Sequence, residues 1–177
     1  MKKIIIISLL SISNCFAFNL NGNYSLQSSS ITYKMKYLLK KINATSTEAK
    51  GKGICNKKDC EFLVAAPVKS FTSKDSNRDT NMLTYTKASD FPMVVVKLKT
   101  LSEFKENGNY DLDISFAGQS HTYKNIAMKS EGNDTKFKVK GTIPLLLSDF
   151  NVERPELLLV KVDDLTPIEV EVTFSRH

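Results

Sequence analysis

Hydrophobic and polar residues alternate with a period of two along much of the chain. This alternation is typical of β-strands that have one dry face and one wet face. It is clearest in the four segments 31–38, 110–116, 136–143 and 167–174. Their apolar positions are predicted to share the inner face of a sheet, and they are Ile31, Tyr33, Met35, Tyr37, Tyr110, Leu112, Ile114, Phe116, Phe137, Val139, Ile143, Ile168, Val170, Val172 and Phe174.

Turn signals separate these strands from one another and from two further β-rich runs, 60–67 and 91–100. Two other segments, 76–92 and 153–164, break the alternation, and each has room for a helical turn or two. Pro155 suits the first turn of the second helical piece. The pattern predicts one all-β antiparallel domain, a barrel or a sandwich, with one or two short helical segments.

The same alternation also fits a small outer-membrane barrel, in which the apolar face meets lipid. Against this interpretation, the chain has no Trp, and its strands do not begin and end with the aromatic girdles of such barrels. The two helical segments are also awkward in a wall that faces lipid. We therefore expect no stable membrane insertion.

The first seventeen residues have the pattern of a secretory signal peptide. Lys2 and Lys3 precede an apolar run over 4–12, which is too short to span a bilayer, and small residues favour cleavage between Ala17 and Phe18. The sequence therefore predicts a leader over 1–17 and a domain over 18–177 that is exported to the periplasm or secreted. A lipoprotein anchored at Cys15 is the weaker alternative, because Asn at the preceding position is a poor fit to that signal.

Charge and cysteine content narrow the function classes. The formal charge of +6 falls to +4 without Lys2 and Lys3, and the remaining lysines are scattered, which is typical of a solvated face rather than a nucleic-acid site. Cys55 and Cys60 remain after cleavage, and an even pair in an exported protein favours a disulfide, here across a β-hairpin. A metal site is the rival interpretation, but the chain has only two histidines and neither lies at a ligand spacing.

The segment 75–79 has the D-x-N-x-D spacing with which a helix-loop-helix calcium site begins. Position 6 of that motif, which needs Gly, is Thr80, and position 12, which needs Glu, is Thr86. A metal is therefore not expected. Ser76 and Asp79 match the S-x-x-D signature of a helix start, so we predict a short helix with Ser76 as its N-cap.

The sequence offers little for catalysis. His121 has no motif partner, and the adjacent Ser120 would point to the opposite face of a strand. The serine-hydrolase, phosphate-loop and zinc-protease motifs do not occur in it. We predict a non-enzymatic protein that needs no cofactor. Arg78 is predicted either to form a structural pair with a carboxylate or to receive an acidic head group.

The order of motifs resembles the YceI-like family of bacterial exported proteins. The resemblance runs over nearly all of 22–175 and is most specific from Asn77 to Pro92, in "NRD" and the later "FP". "DLDISFAGQSHTYKNIAMK" resembles the central hairpin of the family, and "F-x-V-x-R-P" in 150–155 its closing segment. Members of this family are lipocalin-like antiparallel β-barrels of about eight strands with a long apolar tunnel, and they bind polyisoprenoids or related lipids.

The resemblance implies that this chain binds a long-chain lipid or isoprenoid in a tunnel. The predicted lining residues are Tyr33, Met35, Tyr37, Val64, Met82, Leu83, Phe91, Tyr110, Leu112, Ile114, Phe116, Phe137 and Leu158. Arg78, Asp79 and His121 are the predicted head-group residues. Two alternatives stay open, namely a structural or interaction module whose barrel is filled by its own side chains and, more weakly, a hydrolase or isomerase that acts on a lipid. The sequence also leaves a homodimer open.

Overall fold

Thirteen β-strands and one α-helix are present in the computed structural model, which describes residues 17–37, 40–157 and 160–177. The helix α1 spans Ser76–Tyr85, and two 3₁₀ turns span Val68–Ser70 and Leu147–Phe150. The strands are β1 (Ala17–Asn19), β2 (Gly22–Tyr37), β3 (Lys40–Ser46), β4 (Lys50–Cys55), β5 (Asp59–Pro67), β6 (Met93–Leu101), β7 (Glu103–Lys105), β8 (Asn107–Phe116), β9 (Gln119–Gly132), β10 (Lys136–Leu146), β11 (Glu156–Leu157), β12 (Val160–Lys161) and β13 (Leu165–Arg176).

Eight of these strands close into an antiparallel barrel. Their order around the wall is β2, β4, β5, β6, β8, β9, β10 and β13, and β13 closes the circuit by pairing with β2. Every neighbouring pair in the circuit is antiparallel. Strand β3 extends the sheet beside the second half of β2. The predicted all-β barrel of about eight strands with a short helix is therefore confirmed.

The two ends of the barrel differ. At one, the aromatic end, lie the β4–β5 turn, the β9–β10 turn and both described chain termini. At the other, the helical end, lie α1, both 3₁₀ turns and the β8–β9 turn. The inner face of the wall carries the predicted apolar positions, as in β8, where Tyr110, Leu112 and Ile114 are buried and Asp111 and Asp113 are exposed.

The outer face is solvated and charged. Glu171 on β13 forms ion pairs with two lysines on β10, Lys138 at 2.8 Å and Lys140 at 3.4 Å. Lys34 on β2 forms an ion pair with Glu169 on β13. Exposed ion pairs of this kind contribute little to stability, about 0–1 kcal/mol each. They show, however, that the polar side of each alternation faces water, which fixes the register of the strands.

The prediction of a helical segment within 153–164 is wrong. Its described residues form the two short strands β11 and β12, which pair antiparallel, and the 3₁₀ turn lies earlier, at Leu147–Phe150. The cause is non-local: the Asp164 carboxylate accepts hydrogen bonds from the Ser148 backbone N–H at 2.9 Å and from its hydroxyl at 2.6 Å. These bonds, chiefly that of the hydroxyl, hold the pKa of Asp164 below its ordinary value. They tie the turn to the start of β13.

The disulfide between Cys55 and Cys60 crosses the β4–β5 hairpin, where the two residues are direct partners. Replacing both with alanine is expected to lower the free energy of unfolding by about 2 kcal/mol, because a short loop is no longer closed in the unfolded chain. Urea denaturation of the variant and of the oxidised parent measures this difference. Alkylation without reductant should label neither cysteine of the parent, and full labelling of both would contradict the pairing.

The described chain begins with a strand at the aromatic end. In β1, Ala17 is exposed and pairs with Lys105, whereas the half-buried Phe18 ring lies 5.9 Å from that of Phe104. Residues 1–16, with Cys15 and most of the predicted leader, lie outside the described residues, and cleavage before Phe18 stays a prediction. Within the described part of the chain, no helix is both long enough and apolar enough to cross a membrane.

Candidate functional site

An apolar cavity of about 200 Å³ lies inside the barrel. Strand β13 lines it with alternate residues from Thr166 to Phe174, and at about 3.3 Å per residue these two positions are about 26 Å apart along the strand. Among the described residues that line the cavity none is charged, and the hydroxyls belong to Tyr33, Thr86, Tyr110 and Thr166. The cavity is therefore long, narrow and suited to an apolar chain.

Aromatic side chains fill the aromatic end of the barrel. Neighbouring ring centroids in this cluster lie 5.1–6.2 Å apart. The cluster, called the aromatic plug below, consists of Phe18, Tyr24, Phe62, Phe104, Tyr110, Phe137 and Phe174. The Tyr24 hydroxyl donates to the Asp134 carbonyl at 2.7 Å, so the most deeply buried phenol has a partner. Because the rings close this end, we infer that a ligand enters from the helical end.

The helix α1 covers part of the helical end. Its residue Met82 lines the cavity, as does the following Thr86, whose hydroxyl donates to the Met82 carbonyl at 2.7 Å. Below the helix, the rings of Tyr33 and Phe71 lie 6.0 Å apart in a small apolar cluster. Burial raises the pKa of Tyr33, and the nearby Asp79 carboxylate raises it further.

The polar residues at the start of α1 stabilise the loop that precedes it. The N-cap is Asp75, whose carboxylate accepts from the Arg78 backbone N–H at 3.1 Å, so the prediction of Ser76 as N-cap is wrong by one residue. The Asp79 carboxylate accepts from the Ser73 backbone N–H and hydroxyl, and the Arg78 guanidinium donates to Asp75 and Ser73. Within the described residues, no acidic, histidine or cysteine cluster could hold a metal ion.

Replacing Asp75 with alanine is expected to lower the free energy of unfolding by about 1 kcal/mol, because α1 loses its N-cap acceptor. Ser76→Ala is the matched control, since Ser76 lies inside the helix, and it should change stability by less than about 0.5 kcal/mol. Thermal melts of both variants provide the comparison. Equal losses in the two variants, or a larger loss for Ser76→Ala, would contradict the assignment of the cap.

A second polar network joins β9 to the 3₁₀ turn Leu147–Phe150. The Tyr123 hydroxyl donates to Asp149 at 2.6 Å and accepts from the Leu146 backbone N–H at 3.0 Å, and His121 Nε2 lies 3.6 Å from the same Asp149 oxygen. Burial, and then the bond to Asp149, raise the pKa of Tyr123. The buried Phe150 ring packs near the imidazole. These contacts hold the turn Leu147–Phe150 against β9.

The sequence comparison decides the family. Residues 23–174 match the YceI-like domain. The chain belongs to the YceI-like family. No curated protein matches its sequence.

Two solved structures share the fold of this YceI-like domain. A polyisoprenoid-binding domain from Saccharophagus degradans, implicated in plant cell wall breakdown, aligns with a TM-score of 0.72 at 10% identity, over 87% of this chain and 98% of its own. BcnA of Burkholderia cenocepacia aligns with a TM-score of 0.65 at 14% identity, over 82% and 95% of the two chains. At these identities the likeness establishes the barrel architecture.

The structure places most of the predicted lining residues of the YceI-like domain against the cavity. These are Tyr33, Met35, Val64, Met82, Tyr110, Leu112, Ile114, Phe116 and Phe137. Leu83 is half-buried on α1 but does not line the cavity, and Phe91 is 42% exposed with its ring against Gly118. The Tyr37 side chain and Leu158 lie outside the described residues. A role of the lining residues in lipid binding stays a prediction.

The three predicted head-group residues lie at the helical end but in two different networks. Arg78 and Asp79 contact Ser73, whereas His121 faces Asp149. Sequence reasoning missed Thr166, which lines the cavity at this end. The signal was present: the inward alternation of 168–174, extended back by one step, reaches residue 166.

Proposed function

We propose that this YceI-like protein is a non-enzymatic periplasmic binding protein that holds one long-chain amphiphilic lipid, a polyisoprenoid or a fatty-acid-like molecule, in its barrel. The observation that carries the proposal is the apolar cavity, whose described lining residues carry no charge and follow β13 for about 26 Å of strand, with the aromatic plug at one end. Burying apolar chain surface there yields about 25 cal/mol per Å². The S. degradans neighbour, a polyisoprenoid-binding domain, supports the same ligand class.

The proposed orientation of the ligand follows from the two ends. The apolar tail points toward the aromatic plug, where the described lining residues are closely packed aromatic rings. The polar head group lies at the helical end, where the cavity approaches α1 and the turn Leu147–Phe150. This arrangement keeps the charged or hydrated part of an amphiphile near water, which avoids the cost of burying it.

The chemistry of the lining supports binding rather than catalysis. Among the described lining residues, the titratable groups are the phenols of Tyr33 and Tyr110, and burial raises the pKa of both. A phenol of raised pKa is a poor base at neutral pH. The periplasmic location is supported by the predicted leader over 1–17 and by the Cys55–Cys60 disulfide, since such bonds persist in oxidising compartments.

One observation favours the alternative of a self-filled structural module. The cavity, about 200 Å³, is smaller than the 300–1,000 Å³ or so that is usual for small-molecule pockets. A narrow lipid chain needs less width than a compact ligand, and side chains such as Met35 and Met82 can repack around it. A titration with a long-chain lipid distinguishes the two functions.

The mature chain 18–177, stripped of lipid by unfolding and refolding, is titrated with cis-parinaric acid, a fluorescent long-chain fatty acid. The proposal predicts saturable uptake of one molecule per chain and its displacement by a polyprenol. Uptake that does not saturate, or none, would favour the self-filled module. Separately, cell fractionation should recover the protein in the periplasm, and recovery in the cytoplasm would contradict the proposed location.

A further inference from the structure

One hydroxyl group in the cavity wall lacks a hydrogen-bond partner. Thr166, at the start of β13, is 3% exposed, and its Oγ1 has no partner among the described residues. Most buried polar atoms in folded proteins are hydrogen-bonded, and one left unpaired destabilises the protein. A threonine here, where a valine would have the same shape, is therefore unfavourable for the ligand-free protein.

The Thr166 side chain belongs to the wall of the cavity. Thr166 lines the cavity, and so does its direct partner on β10, Leu145. Two other buried hydroxyls without a partner in the described chain, Ser29 and Ser130, do not line the cavity. The Thr86 hydroxyl lines it but is already satisfied by the Met82 carbonyl. Among the hydroxyls of the described lining residues, that of Thr166 is therefore the buried one without a partner.

We propose that Thr166 is the specificity-determining residue of the cavity and that the cargo carries a hydrogen-bonding oxygen atom, of carbonyl, carboxyl or hydroxyl type, beside it. This inference rests on the proposed lipid-binding function and narrows the ligand class to oxygenated lipids. Thr166 lies at the helical end, about 26 Å along β13 from Phe174 in the aromatic plug. A lipid whose tail reaches the plug therefore presents its polar end to this hydroxyl.

Selectivity follows because a site built to hydrogen-bond an oxygen discriminates against an analogue that lacks it. A plain hydrocarbon would leave the Thr166 hydroxyl buried and unpaired, whereas a carbonyl oxygen would accept a hydrogen bond from it. One neutral hydrogen bond of this kind corresponds to a preference of about fivefold to tenfold in Kd.

The test uses two ligands of equal length, a long-chain methyl ketone and the alkane in which a methylene replaces its carbonyl. Both compete against cis-parinaric acid, whose own Kd is measured for each protein. The parent and Thr166→Ser should prefer the ketone by about fivefold to tenfold. Thr166→Val should lose this preference and keep its affinity for the alkane, and Thr166→Ala serves if the valine variant does not fold.

The control is Thr142→Val, which makes the same chemical change on the outer face of β10, and it should bind as the parent does. Equal preference for the ketone in Thr166→Val and the parent would overturn the inference while lipid binding stands. If the parent shows no preference for the ketone over the alkane, the inference is also overturned while lipid binding stands. If neither ligand nor cis-parinaric acid binds the folded parent, the proposed function itself fails, and this inference with it.

Discussion

Replacing Phe137 with alanine is expected to lower the free energy of unfolding by about 3–5 kcal/mol, the usual cost of deleting a buried phenyl ring. Phe137 is 1% exposed and lies at the centre of the aromatic plug. Its ring centroid is 5.4–5.9 Å from those of Phe18, Tyr24, Phe62, Phe104 and Phe174. The deletion leaves a void among residues from several strands, which cannot all move to fill it. Urea denaturation at equilibrium measures the loss.

The matched control is Phe91→Ala, at the helical end. The Phe91 ring is 42% exposed, so its removal should cost about 1 kcal/mol or less. The difference between the two variants tests whether the plug is a packed core. Similar losses in both would mean that the rings at the aromatic end are not closely packed, and the inference that this end is closed would fail.

Replacing Val170 with phenylalanine is expected to abolish lipid uptake while leaving the fold stable. Val170 lines the middle of the cavity, and its partner on β10 is Gly141. A larger ring there enters empty space, so stability should change by less than about 1 kcal/mol. It also blocks the path between the helical end and the plug, so the affinity for cis-parinaric acid should fall more than about tenfold.

Val152→Phe makes the same change in a packed region and is the matched control. Val152 is 7% exposed, belongs to the main core and does not line the cavity. Overpacking should destabilise this variant by about 1–3 kcal/mol, and its folded fraction should still take up lipid. If Val170→Phe is destabilised as much as Val152→Phe, the barrel is filled by its own side chains.

The barrel wall was predictable because one physical rule governs it. Each wall strand has one face toward the interior and one toward water, so the period of two in 110–116 and 167–174 identifies inner positions such as Leu112 and Val170. The YceI-like resemblance added the closure of the sheet, which periodicity alone left open between a barrel and a sandwich.

The ends of the barrel were less predictable because distant residues determine them. The turn Leu147–Phe150 depends on Asp164, sixteen residues later, and a local pattern in 153–164 could not reveal that. Phe91 was predicted to line the cavity from the family resemblance, yet its ring packs on Gly118, in the β8–β9 turn. The N-cap was wrong by one residue because Asp75 and Ser76 are both favourable N-cap residues, and the S-x-x-D spacing selected Ser76.

The sequence predicts the apolar lining of the cavity, but not the polar group that a ligand would contact. Alternation located the apolar lining, whereas conspicuous charged residues suggested the head-group site. The structure shows Asp79 and Arg78 hydrogen-bonded to Ser73 in the loop before α1, so their charges already have partners. Thr166 is inconspicuous in sequence, and its importance depends on the lack of a partner in the folded state.

Native mass spectrometry of the mature protein, isolated from cells without detergent, tests most directly whether the barrel holds a long-chain lipid. We predict a complex of one protein with one lipid, and organic extraction should yield an oxygenated long-chain molecule. The variant Val170→Phe, isolated in the same way, should be detected without a bound lipid. A parent protein that carries no lipid, and takes up none when long-chain lipids are added, would contradict the account.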